Sequence, residues 1–311
     1  MRRAWQGSVL SIGNFDGVHL GHQKILGTVV EAARRAGAKP VVFTFDPHPE
    51  AILHPEHAPE RILSCQRKLE LLADLGIDVA ICPDGPLAVL ALSAEEFVRQ
   101  IVVQGIGAAL VVEGPNFVFG RYGSGDDALL RRLGAELGFA LQVIPPVVVD
   151  GSDVSSTRIR QMLRAGRVAE ADRLLGRPFE YVGQVVHGRH LGRKFGFPTA
   201  NLQGGDFLIP ADGVYAGWAY VTGHPGDLAS RPWPAAISVG RAPTFEELPQ
   251  PVVEVLLIGF EGELYGRTLC LRFIDRLREQ KRFSSGEALA EQVHRDCQAA
   301  RELLAGRKPG F

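Results

Sequence analysis

The hydrophobic period of this chain changes near residues 176–181, and that change limits the folds open to it. Before it, short apolar runs alternate with helical patterns. Residues 9–15 form an apolar run ending in a Gly-Asn-Phe turn, and residues 23–35 place Ile25, Leu26, Val29, Val30 and Ala33 at helical spacing. Residues 40–45 are β-branched and aromatic, a second strand, and Ser64 is placed to cap a helix carrying Leu69, Leu71, Leu72 and Leu75. Residues 79–82 read as a third strand, Ser93 and Glu96 as a capping box for the next helix, and residues 109–112 as a fourth strand. A helix over 126–137 and a strand over 141–149 follow. Strands separated by helices of this length predict an α/β domain, a mostly parallel sheet with helices on both faces.

After short helices over 158–165 and 168–175 the pattern becomes strand-only, over 182–186, 214–221, 235–239, 252–260 and 268–274. Helical spacing returns at the end, where Ser284 and Glu287 read as a capping box and Leu289, Val293, Cys297, Ala300 and Leu304 mark one face. Several strands followed by one helix predict a small antiparallel β-barrel with a helix packed on it. Arg177-Pro178 interrupts the last helix before the change, so the expected domains are 1–177 and 178–311, in keeping with about two domains for 311 residues.

Charge narrows the partners. With 34 basic and 35 acidic residues the formal net charge is −1, so no global field would hold nucleic acid or an anionic membrane. Neither partner is expected, and phosphate binding has to be local. Cysteines 65, 82, 270 and 297 form no C-x-x-C pair and no zinc spacing, which predicts reduced thiols in a cytoplasmic protein. The N-terminal residues reach a glycine turn too soon for a signal sequence, and no apolar run approaches the ~20 residues of a membrane span.

The first candidate site is the string Ile12-Gly13-Asn14-Phe15-Asp16-Gly17-Val18-His19-Leu20-Gly21-His22, joining the first strand to the first helix. Gly13, Gly17 and Gly21 allow close backbone approach to a phosphate, the helix start offers unpaired N–H groups, and His19 and His22 can face one ligand. No lysine of the P-loop type is present, and no third ligand at obvious spacing makes the histidines a zinc site. Ser155-Ser156-Thr157-Arg158-Ile159-Arg160 opens a later helix. It reads either as a phosphate site, with Ser156 and Thr157 hydroxyls and Arg158 or Arg160 charge, or as an N-cap with surface arginines. Gly114–Gly120, carrying Asn116 and Phe119, lines a crevice or is an aromatic-anchored loop; Asp46 and His48 in Phe45-Asp46-Pro47-His48-Pro49 are ligand contacts or turn residues.

The second candidate site combines a spaced-glycine loop, Gly188, Gly192 and Gly196 with Arg193 and Lys194 between them, with Pro198-Thr199-Ala200-Asn201. The glycines suit an anion-binding flap, and the neutral oxygens of Thr199 and Asn201 suit a magnesium ion that already carries phosphate ligands. Glu254, alternating with valines, points either to solvent or into a crevice as a base.

Together these strings resemble the bacterial bifunctional riboflavin kinase/FAD synthetases. The G-x-F-D-G-x-H-x-G-H string, TFDPHP, the N-F-x-F-G loop and SSTRIR are similar to their adenylyltransferase half, a Rossmann-like H-x-G-H nucleotidyltransferase; P-T-A-N and a glutamate on a strand are similar to their six-stranded kinase barrel. The K-M-S-K-S partner of the related H-I-G-H synthetases is missing, with SSTRIR in its place. The resemblance implies ATP as co-substrate, Mg²⁺, riboflavin phosphorylation to FMN in the barrel, and FMN adenylylation to FAD in the α/β half. It further implies that Glu254, His19 and His22 are catalytic. Gly13, Phe15, Asp16, Gly17, Gly21, Ser156, Thr157, Arg158, Arg160, Gly188, Gly192 and Gly196 would bind ATP or phosphate. Asn116, Phe119, Asp46 and His48 would contact flavin, and Thr199 and Asn201 would hold the metal. Departures from the family pattern stand at Ser238, Ala242 and Val118. An adenylyltransferase with an inert barrel, or a flavin-binding module without turnover, is opposed by the intact Thr199, Asn201, Glu254 and histidine pair.

Overall fold

The computed structural model describes residues 5–187, 199–205, 207–222, 231–240, 251–307 and 309. Its contacts form two compact units. One takes in Met1–Pro59 and Arg67–Ser155, the other Glu60–Gln66 and Ser156–Phe311.

The first unit is a five-stranded parallel sheet, β1 (Ser8–Ile12), β2 (Pro40–Phe43), β3 (Val79–Ile81), β4 (Ala108–Glu113) and β5 (Ala140–Val143), in the order β3-β2-β1-β4-β5. Connections are made by α1 (Leu20–Ala36), α2 (Pro49–Leu53), α3 (Cys65–Asp74), α4 (Pro86–Leu90), α5 (Ala94–Phe97) and α6 (Asp127–Leu137). Strand β1 is central, and its neighbours β2 and β4 are reached by crossovers in opposite directions, which creates a switch point at its carboxyl end. Leu10, Val41 and Val111 on these three strands are fully buried, as strands covered on both faces require. The capping box at Ser93 and Glu96 is formed, and the helix it starts continues as a π-helical stretch over Val98–Ile106. The fifth strand is shorter than its hydrophobicity suggests. It stops at Val143, because Pro145 and Pro146 follow and cannot continue the ladder, and Val148–Val149 (β6) pairs instead with Ser152–Asp153 (β7).

The second unit is a closed antiparallel barrel of β8 (Phe179–Val186), β9 (Ala200–Gly204), β10 (Gly213–Thr222), β11 (Trp233–Gly240), β12 (Val252–Leu257) and β13 (Thr268–Arg278), in the order β10-β11-β12-β9-β8-β13. Strand β9 has no hydrophobic signature of its own because Asn201 and Gln203 alternate with its two apolar residues. Alternate side chains fill the interior: Val185, Leu202, Ile237, Val253, Val255 and Leu271 are buried, and Tyr215 and Phe273 pack edge to face at 5.3 Å. On the outside, Trp218, Tyr220, Cys270 and Ile274 are covered by Ala300 and Leu304 of the last helix, α9 (Gly286–Leu304). Its cap is Ser285, which accepts from the Ala288 N–H, rather than Ser284. The helix is fastened by Arg278, whose guanidinium donates to both carboxylate oxygens of Asp296 at 2.8 and 2.6 Å.

Helices α7 (Ser156–Arg164) and α8 (Val168–Leu175) belong to the barrel's unit, so the change of hydrophobic period near 176–181 marks where helices give way to strands rather than where contacts divide. Asp172 of α8 accepts from the Phe179 N–H at 2.8 Å, and burial pushes its carboxyl up to about 8.

One ion pair lies inside this packing. Arg272 on β13 and Glu180 on β8 are register partners, with Arg272 Nε and Nη2 at 3.1 and 3.0 Å from Glu180 Oε1 and side chains 3% and 2% exposed. Such a pair is poorly compensated when half of it is removed. Glu180→Leu is expected to cost about 3–5 kcal/mol, whereas Glu180→Leu with Arg272→Met should recover most of that loss. Denaturant unfolding of both variants checks this; a double variant as unstable as the single one would contradict it.

Candidate active sites

Strand β1 ends at Ile12, and the loop to α1 turns through three residues of positive φ, Phe15 at 49°, Gly17 at 85° and Val18 at 39°. Phe15 and Val18 are 3% and 1% exposed, so burial holds two side chains in a backbone region that they rarely adopt. The turn delivers His19 to the N-cap of α1, where its Nδ1 accepts from the His22 N–H at 3.3 Å. That acceptance puts the proton of the neutral ring on Nε2. The two imidazoles stack with centroids 3.6 Å apart and planes at 17°, and Phe15 meets His22 edge-on at 5.2 Å. Gly21 gives the stack room: a Cβ there would lie 3.1 Å from His19 Cε1 and the ring would have to shift by a few tenths of an ångström. Gly13, Phe15, Asp16, Gly17, Gly21, His19 and His22 are thus one local assembly at the sheet's switch point.

Two neighbouring loops join it. After β2, His48 caps α2 by accepting from the Glu50 N–H at 3.1 Å, and its Nε2 lies 2.9 Å from the Asn14 amide. Asp46 is half-buried two residues earlier. After β4, Asn116 is exposed at φ 60°. Phe119, expected to contact flavin, is 6% exposed and packs between Phe97 and Phe117, whereas Val118, 62% exposed, faces solvent as Asn116 does.

Two buried charged groups hold these loop ends and were not singled out from the sequence. Lys68 of α3, 6% exposed, donates to the carbonyls of Asn14 and Phe45 and to Thr44 Oγ1 at 3.2, 2.8 and 3.1 Å. Glu113, the last residue of β4 and 3% exposed, accepts from the Ile12 N–H at 2.6 Å. Its burial pushes the carboxyl well above the usual carboxylate range, Asp127 adds to the rise, and the Ile12 N–H opposes it. Each left a signal: Lys68 stands on the buried stripe of α3 with Leu71 and Leu72, and Glu113 closes a strand otherwise apolar.

Ser156, Thr157, Arg158 and Arg160 form the first turns of α7 in the second unit. Arg160 is 8% exposed and its Nε donates to the Glu60 carbonyl at 2.8 Å; Arg164 Nη2 meets the Glu60 carboxylate at 2.7 Å. Both arginines therefore fasten the 60–66 segment to α7.

On the barrel, Asn201, Glu254 and Ser238 are cross-strand neighbours on β9, β12 and β11. Val253 and Val255 point inward, so Glu254 stands on the outer face, and Thr199, two residues before Asn201, is half-buried beside that row. Glu254 is itself half-buried, and burial raises its carboxyl above the ordinary value. Gln280 donates to Ser238 Oγ and to the Val239 carbonyl, each at 2.9 Å, fixing the end of the row. Thr199 and Asn201 offer neutral oxygens of the kind magnesium accepts, and among the described residues no cluster of three His, Cys, Asp or Glu side chains is disposed to hold a metal ion. Gly188, Gly192 and Gly196 lie outside the described residues, as does Ala242. Cysteines 65, 82, 270 and 297 are free thiols, and among the described residues no helix is long and apolar enough to cross a membrane.

Comparison with known proteins matches each unit to a chemistry. The FAD synthetase family model matches residues 1–158, and the riboflavin kinase family model residues 175–304. A bifunctional riboflavin kinase/FMN adenylyltransferase of Pseudomonas fluorescens is 39% identical over 305 residues, 98% of this chain and 96% of the relative. One from Bacillus subtilis is 33% identical over 298 residues, 94% and 91% of the two chains. A solved structure titled a macrolide-efflux protein of Streptococcus pneumoniae superposes with a TM-score of 0.85 at 31% identity, over 95% of this chain and 94% of that one.

The raised Glu113 carboxyl links stability to pH. A carboxyl that binds its proton more tightly in the folded chain contributes stability that is whole below its unfolded pKa, about 4, and lost as pH rises through the folded value. Glu113→Gln keeps an acceptor for the Ile12 N–H and removes the titration. Its thermal midpoint should therefore exceed the parent's near neutrality, with the gap closing as pH falls toward 4. Parallel pH profiles for the two proteins would show that Glu113 does not titrate in this way.

Proposed function

The chain belongs to the bifunctional riboflavin kinase/FMN adenylyltransferase family, and from that membership we infer how its own residues divide the two reactions. The chain phosphorylates riboflavin to FMN with ATP and adenylylates FMN to FAD with release of pyrophosphate. Kinase chemistry runs on residues 178–311 and adenylyl transfer on residues 1–177, although α7 and α8 pack in the barrel's unit.

In the kinase step Glu254 takes the proton of the riboflavin 5′-hydroxyl as that oxygen attacks the γ-phosphorus and ADP departs. A carboxylate whose burial raises its proton affinity is a better base than one in water. Thr199 and Asn201 hold Mg²⁺, which when bound neutralises charge on the nucleotide's phosphate oxygens. Gly188, Gly192 and Gly196 let the preceding loop approach the phosphates. The observation that carries this reading is the register of Asn201 against Glu254, which sets the metal-suited amide beside the base.

In the adenylyl step a phosphate oxygen of FMN attacks the α-phosphorus of ATP and pyrophosphate leaves. Nε2–H of His19 and the imidazole of His22 donate to charge growing on the phosphate oxygens, with Gly13, Phe15, Asp16, Gly17 and Gly21 shaping the loop around the nucleotide. Within their own unit, Ser156, Thr157 and Arg158 carry hydroxyls and positive charge suited to phosphate, with Arg160 fixing the helix that presents them. Asp46, His48 and Asn116 contact the flavin, and Phe119 anchors the loop that carries Asn116 by stacking on Phe117. A cytoplasmic site of action suits the free thiols, and neither nucleic acid nor membrane is needed as a partner.

The division is tested with two substitutions in the full chain. Glu254→Gln should lower riboflavin phosphorylation by about 10²–10⁴-fold and spare FMN adenylylation. His22→Ala should lower FAD formation by about 10²–10³-fold and spare FMN formation. Mixed together with riboflavin and ATP, the two variants should again make FAD, as read by chromatography. Loss of both activities in either folded variant would contradict separate sites.

A further inference from the structure

We propose that Lys68 is a positioning residue for adenylyl transfer, one ammonium that sets the spacing of the two loops flanking the histidine pair. The proposal rests on reading the β1–α1 loop as the adenylyl-transfer site.

Lysine is rarely buried without partners, and Lys68 is 6% exposed. Its ammonium has three protons, and three oxygens stand at 3.2, 2.8 and 3.1 Å: the Asn14 carbonyl, the Phe45 carbonyl and Thr44 Oγ1. The first belongs to the loop after β1, the other two to the end of β2 and the loop after it. Thr44 Oγ1 in turn donates to the Asn14 carbonyl at 3.3 Å, so the hydroxyl accepts from the lysine and passes its own proton to the same acceptor. The result is a closed three-member network, and Thr44 within it is fully buried.

These partners are where the two parallel strands stop. Neighbouring strands satisfy each other's carbonyls only up to Ile12 and Phe43, and the next groups need other donors. A water molecule would satisfy them without fixing their separation; a side chain rooted in the first turn of α3 does both. The effect reaches the site along short paths. Asn14 precedes Phe15, whose ring meets His22 edge-on at 5.2 Å, and the Asn14 amide lies 2.9 Å from His48 Nε2. Phe45 precedes Asp46 by one residue. Releasing the ammonium would let both loops shift relative to each other while the sheet beneath stays paired.

The test uses the full chain with FMN, ATP and Mg²⁺. Lys68→Met keeps most of the stem and removes the three donors. Its kcat for FMN adenylylation should fall by about 10²-fold, the scale of a misalignment near 1 Å, with KM for ATP and FMN little changed. Calorimetric ATP-binding stoichiometry should stay at the parent's value, as should riboflavin phosphorylation in the same preparation. Thr44→Val should act in the same direction more mildly, and adding it to Lys68→Met should cost less than it costs alone, because both act on one network. Parental kcat in Lys68→Met overturns the proposal. So does a rise in KM for ATP at unchanged kcat, which would make Lys68 a substrate contact, and so does a binding stoichiometry that falls in step with activity, which would make its role one of folding. If Lys68→Met does not fold, Thr44→Val decides the matter by the same readings. A parent enzyme that makes no FAD from FMN would refute the underlying reading instead, a result distinct from an active parent with an unaffected variant.

Discussion

A parallel sheet leaves main-chain groups unpaired where its strands end, and in the first unit those groups are met by buried side chains from two sides. Glu113 on β4 takes the Ile12 N–H, and Lys68 on α3 takes the Asn14 and Phe45 carbonyls. Between these anchors the chain can pass through the positive-φ turn at Phe15, Gly17 and Val18 without loosening. That turn places His19 at the N-cap of α1, where the cap and the space left by Gly21 accommodate the imidazole stack. The arrangement of the histidine loop is thus a consequence of how one strand end is satisfied.

The barrel solves a different problem. Its strands have two faces, and the inner one is filled by alternating aliphatic and aromatic side chains. The outer face is divided between apolar residues under α9 and the polar row Asn201, Glu254 and Ser238. Leu256, two residues beyond Glu254, packs into the cluster with α9, so the Glu254 carboxyl stands at the margin of a covered surface. That placement accounts for a carboxyl whose proton affinity is raised while it remains part-exposed.

Much of this was legible in the sequence because it depends on local pattern. Period and capping residues placed most helices and strands, and the glycines and histidines of residues 12–22 marked a loop that the structure folds into one local assembly. Strand β9 has too short a period to stand out, its side chains alternating polar with apolar over only five residues, and the apolar run of 141–149 outlasts the fifth strand because Pro145 and Pro146 end its ladder. What local pattern does not carry is contact between distant segments. Glu113 reaches a residue 101 positions away, Lys68 one 54 positions away, and Arg160 one 100 positions away. The same holds for α7 and α8, whose helical spacing is clear while their choice of the barrel as packing partner depends on distant strands.

Two sites on one chain make a sequential claim, and a time course of the full-length enzyme with riboflavin, ATP and Mg²⁺ tests it most directly. Chromatographic separation should show FMN and ADP forming first, then FAD and pyrophosphate at the expense of FMN, with two ATP consumed per FAD as two phosphate-transfer steps require. ATP consumed without FMN, or FMN that accumulates and is never adenylylated, would contradict the account.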